Sequence, residues 1–278
     1  MTPWNNKKRV SNLLIQICCV MAGCVIICPV LYCISMAFMR PSEIISSPPT
    51  LIPGSLYLEN FYIALQRTQI MRFIGNSLLV SVICSLVRIV TASLAGYSFA
   101  FFDFRGKKFL FYIVLGTMLI PADATIITNY FTVSHMGLVD NYLGIMILYF
   151  VSAMNVFLIR QYFMSISKEL KDAAEIDGCG SFRFYTQVLL PVSQPVLVTV
   201  FISSFVSTWN MYLWPLLITN KGEMRTVQVG ITMLNFAEEA SYGATMAGAV
   251  IVLVPSLLVF LIFQKHIVRG MTSGSVKG

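Results

Sequence analysis

Six long apolar stretches, separated by short polar segments, make up most of this 278-residue chain. A helix needs about 20 apolar residues to cross about 30 Å of hydrocarbon. The stretches reach or approach that length and are continuous, whereas strands of a membrane barrel would alternate. They cover residues 13–39, 73–102, 109–133, 142–163, 192–218 and 244–263. The pattern therefore predicts an all-α, polytopic membrane protein with six transmembrane helices.

The composition supports this prediction. Apolar residues make up 57% of the chain and charged residues only 11%, where a soluble domain carries roughly 25% charge. The net charge of +7 is spread over short clusters between the apolar stretches. A nucleic-acid partner would need those cations on one solvated face, so no nucleic acid is expected.

The distribution of lysine and arginine predicts the orientation. With the N-terminus inside, thirteen of these residues fall in the inner segments and five in the outer ones. This bias favours both termini in the cytoplasm. Residues 1–12 then form a cytoplasmic N-terminus, 13–268 the transmembrane domain and 269–278 a cytoplasmic tail. Asn60, in a predicted short interfacial helix over 60–66, lies outside.

The first stretch could also be a secretory signal, because Lys7, Lys8 and Arg9 precede it. A signal core is about 7–15 residues long, however, and this stretch is much longer. We therefore expect a retained membrane anchor.

The cysteines and histidines do not suggest a metal centre. Five of the seven cysteines lie in the first stretch, and neither a CxxC spacing nor a cysteine–histidine pairing occurs. His135 and His266 are isolated in the sequence. We expect unpaired cysteines and no metal site.

The polar segment between the fourth and fifth stretches predicts a helix, a sharp turn and a second helix. Ser167 is a candidate N-cap, and Gly178 and Gly180 are suited to a left-handed turn. A second helix from Ser181 would run to Pro191 and open the fifth span. The first helix has four apolar positions in helical spacing: Leu170, Ala173, Ala174 and Ile176. From the residues alone, this element is either a knob that docks on another protein or a solvated amphipathic loop.

Asp172-Ala173-Ala174, followed at fixed spacings by Gly178, Val188 and Leu190-Pro191, resembles the EAA loop of ABC importer permeases. Asp172 stands where the pattern has Glu, and Val188 where it has Ile. Three further segments resemble carbohydrate-type permeases of the maltose and glycerol-3-phosphate uptake group: Asn76-Ser77-Leu78, the segment from Thr208 to Leu216, and the tail from Gly270 to Gly278.

The resemblance implies the type I ABC importer permease fold and a transport subunit rather than an enzyme, in the cytoplasmic (inner) membrane of a bacterium or archaeon. It implies a second homologous permease subunit, two copies of an ABC ATPase and an extracytoplasmic solute-binding protein as partners, besides membrane lipid. The chain would bind no cofactor, since ATP and Mg belong to the ATPase subunits and no GxxxxGK[ST] motif occurs here. The EAA loop, residues 164–191, would couple to the ATPase. Its coupling residues would be Asp172, Ala173, Ala174, Glu175, Asp177, Gly178 and Pro191.

Arg88 is a charge deep inside the second stretch, where insertion of arginine costs about 2.5 to 3.5 kcal/mol. It could contact an anion in the translocation pathway, which would suit a phosphorylated substrate such as glycerol-3-phosphate. It could equally pair with a carbonyl or carboxylate of a neighbouring helix, with Asp123 as one candidate.

Four further residues are candidates for the substrate pathway. Aromatic rings and amides suit sugar stacking and hydroxyl hydrogen bonding. The aromatic residues equally fit an interfacial belt, and Asn155 could bond between helices. The four are Asn155, Trp209, Asn210 and Tyr212.

Two alternatives come from other functional classes. An intramembrane enzyme would need paired catalytic groups at membrane depth, and no such pair occurs. A secondary transporter would be expected to show an inverted repeat and several intramembrane charges.

Overall fold

The computed structural model describes residues 3–66, 69–234 and 242–272. Its described residues form helices and loops, without strands, as the apolar pattern predicted. They divide into two compact units, one built from Met1–Ile70 and Ile231–Leu253 and the other from Met71–Gly230 and Val254–Gly278. We refer to them as unit 1 and unit 2. Most of the predicted tail, residues 273–278, lies outside the described residues.

Fifteen α-helices follow one another along the described chain, joined in places by 3₁₀ or π-helical turns. They are α1 (Pro3–Ala37), α2 (Pro41–Ile44), α3 (Glu59–Gln66), α4 (Ile70–Phe101), α5 (Lys107–Gly116), α6 (Ile126–His135), α7 (Tyr142–Met146), α8 (Ala153–Ser165), α9 (Lys168–Ile176), α10 (Ser181–Phe184), α11 (Leu190–Val192), α12 (Gln194–Trp209), α13 (Leu213–Ile218), α14 (Val227–Leu234) and α15 (Tyr242–Thr272). The short helix predicted at 60–66 is confirmed as α3.

Three helices are individually long and apolar enough to cross a membrane. They contain the segments Leu14–Ala37, Ile70–Phe101 and Tyr242–Ile262. Most of the first is exposed to its surroundings, as expected for a helix that faces lipid.

The other three apolar stretches are broken helices. Each becomes a bent pair in unit 2, with bends of 90° near Pro121, 47° near Val151 and 77° at Ser193. The described chain therefore has three to six candidate spans, and six remains a prediction. The fifth stretch differs from the expectation: α11 continues through Pro191, and the bend comes at Ser193, where Pro195 in the first turn of α12 lacks an amide proton.

Unit 1 is held together where small residues let helices approach closely. Ala37, Ala64 and Ala247 form its buried cluster. The Asn60 side chain donates hydrogen bonds to the carbonyls of Ala37 (3.0 Å) and Met39 (2.8 Å). These bonds satisfy carbonyls at the end of α1 that have no helical partner.

Unit 2 has two buried clusters. One surrounds Phe163, Phe184 and Leu189 and packs α8 and the 181–189 segment against the last turns of α4. The other surrounds Val80, Ile145 and Trp214 nearer the start of α4. The first cluster holds the 181–189 segment against α4, and the second holds parts of α6, α7 and α13 against α4.

Candidate functional site

The turn of the EAA-like loop, residues 164–191, is a Schellman motif at the end of α9. The Cys179 amide donates to the Ala174 carbonyl (2.8 Å) and the Gly178 amide to the Glu175 carbonyl (3.0 Å). Gly178 has a φ of +74°, so the predicted left-handed turn is confirmed there. Gly180 instead has a φ of −67° and precedes the first turn of α10.

The two faces of α9 have different surroundings. Leu170 and Ala174 pack against the Phe163 cluster, whereas Asp172 and Ala173 are exposed. Ile176, which we grouped with the other apolar positions, is 86% exposed. Residues two apart on an α-helix lie about 200° apart, so Ile176 cannot share the face of Ala174.

Five exposed acidic and apolar residues of the loop are named here the knob surface: Asp172, Ala173, Ile176, Asp177 and Phe182. Phe182, on α10, is 75% exposed. Glu175 is not included, because its carboxylate forms an ion pair with Lys171, whose Nζ lies 3.2 Å away. Sequence reasoning did not select Phe182, although a large apolar residue in a polar loop was the available signal.

The second half of the EAA-like loop is bonded to α4. The Tyr97 hydroxyl donates to the Ser181 carbonyl (3.0 Å), and the hydroxyls of Ser93 and Tyr185 share a buried hydrogen bond (2.7 Å). Residues Tyr185–Leu189 form a π-helical turn, a feature frequent at functional sites. The segment that follows the turn is thus hydrogen-bonded directly to a candidate membrane span.

Arg88 lies among buried residues and is paired with backbone. Its Nε donates to the Tyr149 carbonyl (2.5 Å), and its guanidinium lies 5.4 Å from the centre of the Tyr149 ring. Asp123 is not within ion-pairing distance of it in the described structure. Of the two interpretations of Arg88, this geometry favours pairing with a neighbouring carbonyl.

The residues predicted for the substrate pathway do not converge on one point. Asn155 donates to the Ser204 hydroxyl (2.8 Å) and so bonds α8 to α12. Trp209 is buried and stacks on Phe205, with ring centres 5.8 Å apart. Asn210 ends α12, where its amide bonds the Val206 carbonyl (2.9 Å).

Tyr212 does line a cleft. The cleft has a volume of about 290 Å³ and lies between the bend near Pro121 and the 211–214 segment. Asp123, Asn129, Tyr149 and Trp214 also line it. Tyr149 is the residue whose carbonyl holds Arg88, and Arg88 lies well inside the 32-residue helix α4. The Tyr149 side of the cleft therefore lies next to the middle of α4.

Near the start of α4, two polar side chains hydrogen-bond the backbone of the connection between α13 and α14. The Asn76 amide donates to the carbonyls of Glu223 (2.9 Å) and Arg225 (2.9 Å), and its oxygen accepts from the Tyr142 hydroxyl (2.7 Å). Ser77 accepts from the Val227 amide (2.8 Å). These bonds fix the 223–227 backbone to α4.

Asp140 makes a similar contact between two loops. It has a φ of +54°, its amide donates to the Ile218 carbonyl (3.0 Å), and its carboxylate accepts from the amides of Lys221 (2.9 Å) and Asn220. The bond from the Lys221 amide, followed by that from Asn220, lowers the pKa of the Asp140 carboxyl. The ionised form is therefore the one that holds the loops together.

All seven cysteines are unpaired. No group of three or more histidine, cysteine, aspartate or glutamate side chains within the described ranges could hold a metal ion.

Comparison with known families decides the class of the protein. Residues 88–273 match the model of the family described as the binding-protein-dependent transport system inner membrane component. The chain belongs to this family. It is therefore a membrane component of a transport system rather than an enzyme, in agreement with the resemblance drawn from the EAA-like loop.

Curated relatives are similar over nearly the whole chain. The permease AraQ of an arabinooligosaccharide transport system from Halalkalibacterium halodurans is 32% identical, over 90% of this chain and 91% of its own. UgpE, a permease of an sn-glycerol-3-phosphate transport system from Brucella melitensis biotype 1, is 30% identical, over 95% and 97%. The probable ABC transporter permease YurM of Bacillus subtilis is 32% identical, over 90% and 83%.

A solved structure has the same fold. A chain of a bacterial ABC transporter involved in importing the acidic polysaccharide alginate superposes with a TM-score of 0.83, at 24% identity, over 93% of this chain and 97% of that one. A chain of the alginate transporter in complex with a pentasaccharide-bound periplasmic protein gives a TM-score of 0.67 at 18% identity, over 94% and 95%. The permease fold expected from the sequence is thereby confirmed.

Proposed function

We propose that this chain forms half of the translocation pathway of an ATP-binding-cassette importer for a carbohydrate or glycerol-3-phosphate-like solute. A solute-binding protein delivers the solute, a second permease subunit completes the pathway, and two ATPase subunits supply the energy. The names of the relatives support this cargo class, since they include an arabinooligosaccharide and a glycerol-3-phosphate system.

The knob surface is the observation that carries the coupling role. It combines the exposed carboxylates of Asp172 and Asp177 with the exposed apolar side chains of Ile176 and Phe182. Such a patch suits a groove with basic residues around an apolar floor, because the apolar side chains supply the contact area and the carboxylates supply orientation.

The rigid turn, together with the hydrogen bonds between the following segment and α4, would allow motion of the knob surface to reach the membrane helices. The Schellman motif fixes the direction of α10 relative to α9, and Tyr97 and Tyr185 bond the second half of the loop to α4. A displacement of the knob by the ATPase would therefore move the membrane helices with it. In this proposal the chain itself binds no nucleotide.

Two matched pairs of variants test the coupling role. Gly178→Asp places a side chain at positive φ, whereas Gly180→Asp makes the same change where φ is ordinary and space is open. Asp172→Lys reverses a charge of the knob surface, whereas Asp172→Glu restores the residue of the family pattern. Asp172→Lys should lower solute uptake and solute-stimulated ATP hydrolysis on the order of thirtyfold, because losing an interfacial charge partner costs about 2 kcal/mol or more. Gly178→Asp should lower both as well, because a side chain at a left-handed position costs about 1–2 kcal/mol and displaces the turn.

The measurements are ATPase recovery with an affinity-tagged chain, uptake in cells, and ATP hydrolysis by the purified complex. Gly180→Asp and Asp172→Glu should behave as the parent does. Full coupling in Gly178→Asp and Asp172→Lys would refute the docking role of this loop. Failure to recover any ATPase with the parent chain would refute the importer itself.

A further inference from the structure

The lining of the cleft beside Tyr212 carries a negative charge, whereas the whole protein has a net charge of +7. Of the described residues that line it, Asp123 alone is charged. The Asp123 side chain makes no ion pair within the described ranges. The other polar and aromatic lining residues are neutral: Thr125, Asn129, Tyr149, Tyr212 and Trp214.

No lysine or arginine is among the described residues that line the cleft with this carboxylate. Arg88 donates to the Tyr149 carbonyl from the helix side and does not line the cleft. A phosphate or uronate group entering the cleft would therefore meet a carboxylate without a lining cation. Like charges repel most strongly where the surroundings are poor in water.

The same lining is well suited to hydroxyl groups. A carboxylate accepts short, charge-assisted hydrogen bonds from hydroxyl donors. The Asn129 amide and the Tyr212 hydroxyl offer both donors and acceptors, and the exposed part of the Tyr212 ring offers a face for the C–H surface of a sugar. About 290 Å³ is close to the smallest volumes found for small-molecule sites, which are roughly 300 Å³.

We propose that this cleft is a solute contact in the translocation pathway, that it accepts neutral, hydroxyl-rich solutes such as oligosaccharides and polyols, and that Asp123 disfavours anionic ones. The proposal rests on the proposed function and narrows its cargo class. It disfavours the phosphorylated substrate that one of the two interpretations of Arg88 suggested, since glycerol-3-phosphate would be a poor ligand here.

The electrostatic part can be measured directly. Met211 lines the cleft, so Met211→Cys in an otherwise cysteine-free chain, assembled with its partner subunits, places one thiol beside Asp123. Its reaction rates with a cationic trimethylammonioethyl and an anionic sulfonatoethyl methanethiosulfonate are compared with those of 2-mercaptoethanol. The carboxylate should favour the cationic reagent on the order of fivefold.

Asp123→Asn should bring that ratio close to the value for 2-mercaptoethanol. Glu223→Gln is the matched control, because it removes a carboxylate of unit 2 that does not line the cleft and should leave the ratio unchanged. A parent ratio that shows no preference for the cation overturns the proposal, and this holds even if the Asp123 variant fails to assemble. An unreactive thiol at position 211 overturns it as well, because the cleft would then be closed in the assembled importer.

Solute protection tests the ligand class. Arabinotriose, maltotriose and sorbitol represent neutral solutes, and glycerol-3-phosphate and an alginate trisaccharide represent anions. At least one neutral solute should slow labelling at position 211 at least threefold, and neither anion should. Protection by an anion, or by none of the five, overturns the proposal. If either result is obtained while ATPase recovery is intact, it refutes only the assignment of the cleft as a solute contact. Loss of both ATPase recovery and uptake refutes the proposed function.

Discussion

At the last turns of α4, aromatic rings from neighbouring elements pack against one another, whereas near its start single polar side chains hydrogen-bond the backbone of a connecting segment. Phe163 and Phe184 are almost completely buried at the loop end, and the rings of Tyr97 and Tyr185 lie 5.2 Å apart. At the opposite end, the Asn76 side chain makes three hydrogen bonds.

The difference follows from what each end must hold. At the loop end most backbone groups are bonded within helices, so side-chain packing is the main contribution there, and the hydrogen bonds of Tyr97 and Tyr185 add to it. The 219–226 segment is mostly non-helical, and its amides and carbonyls need outside partners. The loop end should therefore be sensitive to lost volume, and the Asn76 end to lost hydrogen bonds.

The largest effect is expected from lost volume at the loop end. Phe163→Ala should lower the free energy of unfolding by about 3–5 kcal/mol, because the ring is completely buried. Thermal unfolding of the purified protein in detergent measures this loss. Phe182→Ala is the control: its ring is mostly exposed, so stability should stay near the parent value while ATPase recovery falls. Equal destabilisation by both variants would contradict the assignment of Phe182 to the knob surface.

A smaller effect is expected from lost hydrogen bonds at the Asn76 end. Asn76→Ala leaves two carbonyls and the Tyr142 hydroxyl without this partner, which should cost about 1–3 kcal/mol. Asn129→Ala, which loses one long bond to Thr125, should cost less in the same unfolding assay. If the order were reversed, Asn76 would not be the main support of the 219–226 segment.

The hydroxyl bond between Ser93 and Tyr185 should contribute less again, about 0.5–1.5 kcal/mol. Tyr185→Phe, Ser93→Ala and the double variant form a cycle in which the two losses should not be additive. Uptake per ATP hydrolysed should also fall in Tyr185→Phe, a change that lost stability alone would not cause. Additive losses with unchanged coupling would remove this bond from the transmission route.

The smallest effect concerns Asp140 and pH. Its folded pKa is lowered by the amides of Lys221 and Asn220, so its contribution is fully present above the unfolded pKa of about 3.9 and is lost as pH falls through the lower folded value. After correction for the intrinsic pH dependence of exchange, protection of these two amides should be constant from neutral pH down to about 4 and should then fall. Asp140→Asn should show weaker protection with no such step. A step near neutral pH in the parent would point to a different group.

The sequence was sufficient to predict the continuous helices and the turn. Stretches of more than 20 apolar residues have one low-energy structure in hydrocarbon, and α1, α4 and α15 follow them closely. Gly178 could be assigned to the turn because a left-handed residue there needs no side chain. The EAA spacing led to the correct family because it fixes several residue types at once.

Other features depend on neighbours that are distant in sequence. Arg88 has many carbonyls within reach in principle, and only the packing of α4 against the 147–150 segment selects Tyr149. The bend at Ser193 instead of Pro191 depends on how α11 continues the π-helical turn. The cleft joins residues nearly 90 positions apart along the chain, from Asp123 to Tyr212, so no local pattern reveals it.

The three bends of unit 2 have a mechanical consequence. An uninterrupted helix resists a change of direction, because several i to i−4 bonds must stretch together. At Pro121, Val151 and Ser193 that ladder is already interrupted, so a few φ and ψ angles can swing one half-helix against the other. Each broken span can therefore change its bend angle while both of its half-helices keep their hydrogen bonds.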